Sequence, residues 1–345
     1  MKKSLLIIMS LLLVLGLVMA SCAPQAAPAE EEAAEAEPAE AEEEAASGEK
    51  LKVALVHYGV FTDQSWGQGG YEGFMRAVEE YDLEYATTEM LPQAEYEATY
   101  RDYAAKGFDL VVGLDGAMDE AAEIVGAEYP DTFFITDSGR FANGTNVGSI
   151  GIAEWQEGYL GGTVMARLTE NKKIGFIGGV DLPVIVQVET GIRAVAAEID
   201  PEIEVMASYV GSWTDVQKSK ELASAMIDAG ADYIMPKADA GSVAAIGVAE
   251  ERGVFAVGST GDMTDVSPDH VIASARARND EAVYRAVKLF AEGELTPEVL
   301  LWGAKEGVVD IVWNPKYKEM YPDLYEETMQ VFEDLKSGKI EEPEM

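Results

Sequence analysis

The sequence predicts an α/β protein with two lobes, each a doubly wound parallel sheet, facing each other across a cleft. Three observations predict it. Strand-length apolar runs alternate with amphipathic helix patterns. The alternation comes in two series. The body from residue 50 onward, about 295 residues, is too long for one ordinary core.

The strand-like runs are 52–57, 109–114, 132–137, 173–178, 203–210, 232–235, 254–258 and 271–274. Several are continuously apolar, as parallel strands covered on both faces must be. Helix patterns span 66–81, 154–168, 215–229 and 242–252. In the first of them Gly70, Phe74, Ala77, Val78 and Tyr81 share a stripe. The first series runs from residue 52 to about 152, the second from 173 to 274. Both open as strand, glycine-containing loop and helix, in VALVHYGVFTDQSW and KIGFIGGVDLPVI. Open α/β sheets bind ligands at the carboxyl ends of their strands, so two such lobes form a cleft there.

Lys2 and Lys3 precede an apolar run from Leu5 to Ala20, then Met19-Ala20-Ser21-Cys22. A positive region, a short apolar stretch and small residues before a cut site make a secretory signal, expected over 1–21. Cys22 is the only cysteine and cannot form an internal disulfide. Its setting resembles a bacterial lipobox, which implies cleavage before Cys22 and its lipidation; an uncleaved N-terminal anchor is the other reading. Residues 23–49 are almost entirely Ala, Glu and Pro, with no aromatic or β-branched residue. Such a stretch buries too little apolar surface to offset its ordering entropy. Residues 22–49 are therefore expected to be an acidic tether between a membrane anchor and the body.

Net charge is −38. That excludes nucleic-acid binding, which needs a basic surface, and fits a monomeric extracytoplasmic protein. Catalysis finds little support. There are two histidines, His57 and His270. No His/Cys/carboxylate cluster has metal spacing, and neither a nucleophile elbow nor a P-loop appears. A carboxylate pair such as Asp137 with Asp115 is the one arrangement open to acid–base chemistry. The expectation is no enzyme, no metal and no cofactor.

The segments FTDQSWGQGGYEGF, PDTFFITDSG, EWQEGYLGG, KKIGFIGGVDLPVIVQVETGIRA, YVGSWTD, GADYIMPKADAG and FAVGSTGDMTDVSP stand in this order along the body. Together they resemble the basic-membrane-protein family, substrate-binding lipoproteins of ABC importers, some of which bind purine nucleosides. The resemblance implies a type I periplasmic-binding-protein-like fold. Two lobes, joined by three crossings, hinge shut on a small-molecule ligand and deliver it to permease subunits. On that plan lobe one takes 50–154 and 275–312, lobe two takes 155–274, and 313–345 form a C-terminal helical segment.

The resemblance also implies that Trp66 and Trp213, in strand-end loops of opposite lobes, sandwich a flat base. Stacking of this kind contributes about 1–3 kcal/mol per base. The competing reading makes both ordinary core aromatics, as Trp155 and Trp302 are expected to be. Asp137 ends the apolar strand FFITD, either to accept hydrogen bonds from a ligand or to cap the next turn. Asp63 and Ser65 are expected to cap the first helix. Asp262 either reaches the ligand or shapes its Gly-rich loop. Tyr58 and Phe61 are placed to wall the pocket. His57, Gly67, Thr260 and Ala277 stand where nucleoside-binding members carry Asp, Asn, Asp and a nearby Lys. These departures weaken a ribose site and leave the stacking clamp, so the expected ligand is a purine nucleobase or nucleoside, or a similar flat heterocycle, with the pattern closer to binders of bare bases; Arg276 and Arg278 lie beside Ala277. A ligand-presenting sensor, a binder of a non-purine solute and a purely structural surface protein are the other readings of the same pattern.

Overall fold

The structure, a computed structural model, describes residues 50–63 and 66–344. Cys22, the signal, the tether and Ser65 lie outside them. The described residues belong to one compact unit.

Lobe one carries a parallel six-stranded sheet in the order β11-β5-β4-β3-β1-β2. Its strands are β1 (Lys52–Val56), β2 (Glu84–Thr88), β3 (Leu110–Gly113), β4 (Phe133–Asp137), β5 (Val147–Ile152) and β11 (Val299–Trp302). The helices α1 (Trp66–Glu80), α2 (Tyr96–Ala105), α3 (Asp119–Glu128) and α8 (Asn279–Ala291) complete it. Lobe two repeats the plan with β6 (Lys173–Gly178), β7 (Glu204–Tyr209), β8 (Tyr233–Lys237), β9 (Phe255–Gly258), β10 (Val271–Ala277) and β12 (Val309–Trp313). Their order is β12-β10-β9-β8-β6-β7, and only β12 runs antiparallel. Its helices are α4 (Glu154–Leu168), α5 (Pro183–Ile199), α6 (Val216–Asp228) and α7 (Ala240–Arg252). The C-terminal helices α9 (Pro315–Met320) and α10 (Pro322–Lys336) follow, and α10 packs on α4.

The central strands are apolar because helices cover both faces. Every residue of β3 is buried, and Val53 to Val56 of β1 are fully so. In each lobe the strand order reverses beside the first strand, between β1 and β3 and between β6 and β8. That switch point leaves a crevice at the carboxyl ends.

The chain crosses between lobes three times, at 152–154, 277–279 and 302–304. The Ala153 amide donates to the Trp302 carbonyl, tying the first crossing to the third. This corrects the expected lobe boundaries. β10 continues to Ala277, and Arg276 pairs with Asp310 across β10 and β12. The return to lobe one therefore comprises α8 and β11 alone, and residues 303–313 belong to lobe two. The strand at 309–313 accounts for the difference, because it completes the edge of sheet two.

Candidate functional site

Between the lobes lies a cavity of about 740 Å³. Lobe one contributes the start of α1, with Trp66, and the crossing at Asn279. Lobe two contributes the β8–α7 loop at Asp239 and the β9–β10 loop from Ser259 to Met263. The six non-glycine residues with positive φ among the described residues include Ser138 after β4 at φ 59°, Asp239 after β8 at φ 45° and Thr260 after β9 at φ 64°, the last two lining the cavity. Non-glycine residues hold such conformations only where their surroundings enforce them.

Trp66 opens α1 and lies at the cavity wall, partly exposed. Asn279 fixes its backbone, the side-chain amide donating to the Trp66 carbonyl at 2.9 Å. Beside Trp66, at the end of β4, Asp137 is fully buried. Burial pushes its carboxyl up to about 7; the Trp66 side chain and the Ser138 amide offset part of the shift, and Asp115 adds to it. Neither carboxylate oxygen closes a full hydrogen bond.

Trp213 stands in the loop after β7, with its ring against the backbone of Gly179. A Cβ at Gly179 would fall 2.3 Å from the indole, so only glycine allows that approach. Trp213 is partly buried and does not line the 740 Å³ cavity. Tyr58 follows β1 and is 48 % exposed. Partial burial, then the negative charges of Asp115 and of Asp239 in the opposite lobe, push its phenol up to about 12. Phe61 is set further in. Its ring centroid lies 5.8 Å from His57 and 4.9 Å from Tyr71, so it supports the wall from behind.

His57 is buried, with no partner for Nδ1. Burial lowers its pKa and keeps the ring neutral, against the nearby charge of Asp63. The ring and Gly67 are matched: a Cβ at 67 would lie 2.5 Å from His57 Nε2 and 2.7 Å from Asp63 Oδ2. His57 thus fills space that a larger residue at 67 would need. Asp63 accepts from the Gly67 and Gln68 amides at 2.9 Å, which caps α1 as expected. Asp262 lines the cavity, and it also accepts from the Thr264 amide and hydroxyl at 3.0 and 2.7 Å. Arg276 and Arg278 are tied to Asp310 and Asp280, and buried Ala277 lies between them. Trp155 and Trp302 are core residues at 4 % and 7 % exposure.

Sequence reasoning missed a buried charged cluster at the same strand ends. Lys237 Nζ donates to Glu154 Oε2 at 2.8 Å and to Glu157 Oε2 at 2.6 Å. All three belong to quoted segments, EWQEGYLGG and GADYIMPKADAG, but none has a role among the expectations drawn from sequence. The available signal was Lys237 itself, a lysine closing the otherwise apolar strand YIMPK.

Among the described residues, no helix is long and apolar enough to cross a membrane. Nor, among them, do three or more His, Cys, Asp or Glu side chains group to hold a metal ion.

Known proteins resemble this chain over most of its length. A purine-binding protein of Brucella abortus is 27 % identical over 296 residues, 85 % of this chain and 83 % of its own length. A putative ABC transporter glucose-binding protein of Haloferax volcanii is 25 % identical over 281 residues, 81 % of this chain and 71 % of its own. The crystal structure of an ABC transporter solute-binding protein from Aeropyrum pernix superposes with a TM-score of 0.73 at 21 % identity, covering 86 % of this chain and 94 % of that one. A family model described as ABC transporter substrate-binding protein, PnrA-like, matches residues 50–343, and the chain accordingly belongs to that family, Bmp.

Proposed function

We propose that this substrate-binding protein captures a purine base, or a similar flat heterocycle, for an importer in the membrane to which it is lipid-anchored through Cys22. The observation that carries the reading is Trp66 at the cavity wall beside Asp137, a fully buried acid whose oxygens close no full hydrogen bond. A flat ligand stacks on the indole and supplies the N–H donors that Asp137 lacks. Trp213 closes on the other ring face from lobe two. The name of the Brucella relative points to the same ligand class and that of the Haloferax relative to sugars; the indole of Trp66 beside buried Asp137 supports the former.

The cavity selects further by charge. Asp63, Glu72, Asp239, Asp262 and Asp280 line it against Arg276 and Arg278. Both arginines already face carboxylates, so the cleft repels phosphorylated ligands. Ribose recognition is weak because His57 fills the space beside Gly67 and Ala277 is buried.

A thermal-shift panel tests the reading. Adenine and guanine are expected to raise the melting temperature, equivalent to about 2.7 kcal/mol at a hundredfold excess over Kd. Their nucleosides should bind within roughly tenfold, and AMP should give no shift. Shifts with sugars or amino acids alone would refute the assignment.

A further inference from the structure

Lys237, Glu154 and Glu157 are each nine-tenths or more buried, and the stacking and hydrogen bonding proposed for the ligand use none of them. Buried charges are costly, and two carboxylates on one ammonium leave an excess of negative charge. Burial, opposed by Lys237 and increased by Glu157, pushes Glu154 up to about 8. Against its own burial, Lys237 is held charged by both carboxylates. Glu154 therefore keeps its proton to a higher pH than an ordinary carboxyl.

The connections of the cluster set its role. Glu154 is the first residue of α4, immediately after the first crossing. Lys237 ends β8 two residues before strained Asp239. Glu157 gives one oxygen to Lys237 and the other to the amide of strained Thr260, at 2.6 Å. Buried hydroxyls finish the same frame. Ser242 accepts from the Ala238 amide at 2.8 Å, and Ser259 donates to the Pro236 carbonyl at 2.5 Å. Both lobe-two loops of the cleft are thus tied to one charged node.

We propose that Glu154, Glu157 and Lys237 are a positioning triad. It holds the cleft loops 238–243 and 259–263 in their strained binding conformation and couples them to the first crossing between the lobes. The triad touches no ligand; its contribution to affinity rests on the cleft being the binding site proposed above. Glu157 bridges the ammonium and the Thr260 amide, while Glu154 ties the same ammonium to the start of α4. The ionisable groups that act most strongly on Glu154 and Lys237 are each other and Glu157.

Hydrogen exchange on the ligand-free full chain tests this without any ligand. Glu157→Ala and Lys237→Met are expected to speed exchange in the two loops about tenfold, leaving β1 and β3 of lobe one unchanged. Glu154→Gln mimics the protonated acid and should keep the parent's protection. It should keep it near pH 9 also, where the parent, once intrinsic exchange is corrected, loses protection in both loops. Unchanged loop exchange in Glu157→Ala would overturn the proposal, as would the same pH profile in Glu154→Gln and the parent. If Lys237→Met does not fold, the two glutamate variants decide. A calorimetric arm uses adenine: Glu157→Ala should weaken it about tenfold or more, Glu154→Gln less than about twofold. Adenine failing to bind the parent would sink the ligand reading alone, and the exchange result would still decide the triad.

Discussion

A carboxyl group that water cannot reach gives up its proton late, and Asp137 is such a group. Its ordinary value is 3.8 and its folded value about 7. Below about pH 4 it is protonated in both states, and folding carries no charge-burial cost. Between about 4 and 7 the native state holds a proton that the unfolded chain has released, so stability falls with rising pH, by up to about 1.4 kcal/mol per unit. Above about 7 the loss is complete. Asp137→Asn removes the titrating group and keeps the shape. Denaturant unfolding at pH 8 should show the variant more stable, on the order of a few kcal/mol, with a flatter slope between about pH 4 and 7. Calorimetry should show weaker adenine binding, because the amide loses the charge-assisted acceptor. A variant that keeps the parent's pH slope would mean that the carboxyl is solvated in the folded protein. Opposite signs for stability and binding are expected of a group held strained for function.

At the scale of elements, glycines set how closely helices approach. A Cβ at Gly158 of α4 would lie 2.0 Å from the Val188 carbonyl of α5, and one at Gly191 of α5 equally close to the Trp155 carbonyl. Two glycines of the segment EWQEGYLGG, Gly158 and Gly162, serve this helix–helix contact. Gly158→Ala is expected to cost about 1–3 kcal/mol or more, because the obstacle is backbone on both sides. A denaturation midpoint equal to the parent's would show that α4 and α5 separate without penalty. The same physics sets what was legible in the sequence. Strands buried on both faces, such as β1, β3, β4 and β6, announce themselves as apolar runs. β2 is EYATT at the edge of its sheet, with two of five residues partly buried and none fully, so it shows no pattern. β12 alternates, VDIVW, because one face packs inward at an antiparallel edge, and its absence from the expected strands displaced the lobe boundary. Glu154, Glu157 and Lys237 stayed hidden for another reason. Their partners are about 80 residues apart in the chain (83 and 80), and no local pattern reports a pairing at that distance.

For the molecule as a whole, the proposed clamp divides between lobes that three neighbouring crossings join. Trp66 belongs to lobe one and Trp213 to lobe two, so a base held by both converts lobe closure into binding energy. The two sites differ in how they are held. Trp66 is fixed at a helix start, its carbonyl taken by Asn279; Trp213 leans on bare backbone at Gly179. Trp66→Ala and Trp213→Ala are each expected to weaken adenine by roughly 1–3 kcal/mol, the stacking range, with thermal stability little changed since both rings are only partly buried. Small-angle scattering adds the scale that affinity alone misses. The parent should contract on adenine, and Trp213→Ala should contract less at saturation, because its ligand is gripped from lobe one alone. Trp66→Ala tests the reverse, with the remaining indole on lobe two. If both variants keep the parent's affinity and contraction while remaining folded, the tryptophans are packing residues, and recognition rests on Asp137 and the lobe-two loops. If Trp66→Ala alone loses affinity, the base stacks on one face only, and the Gly179–Trp213 contact serves the wall of lobe two.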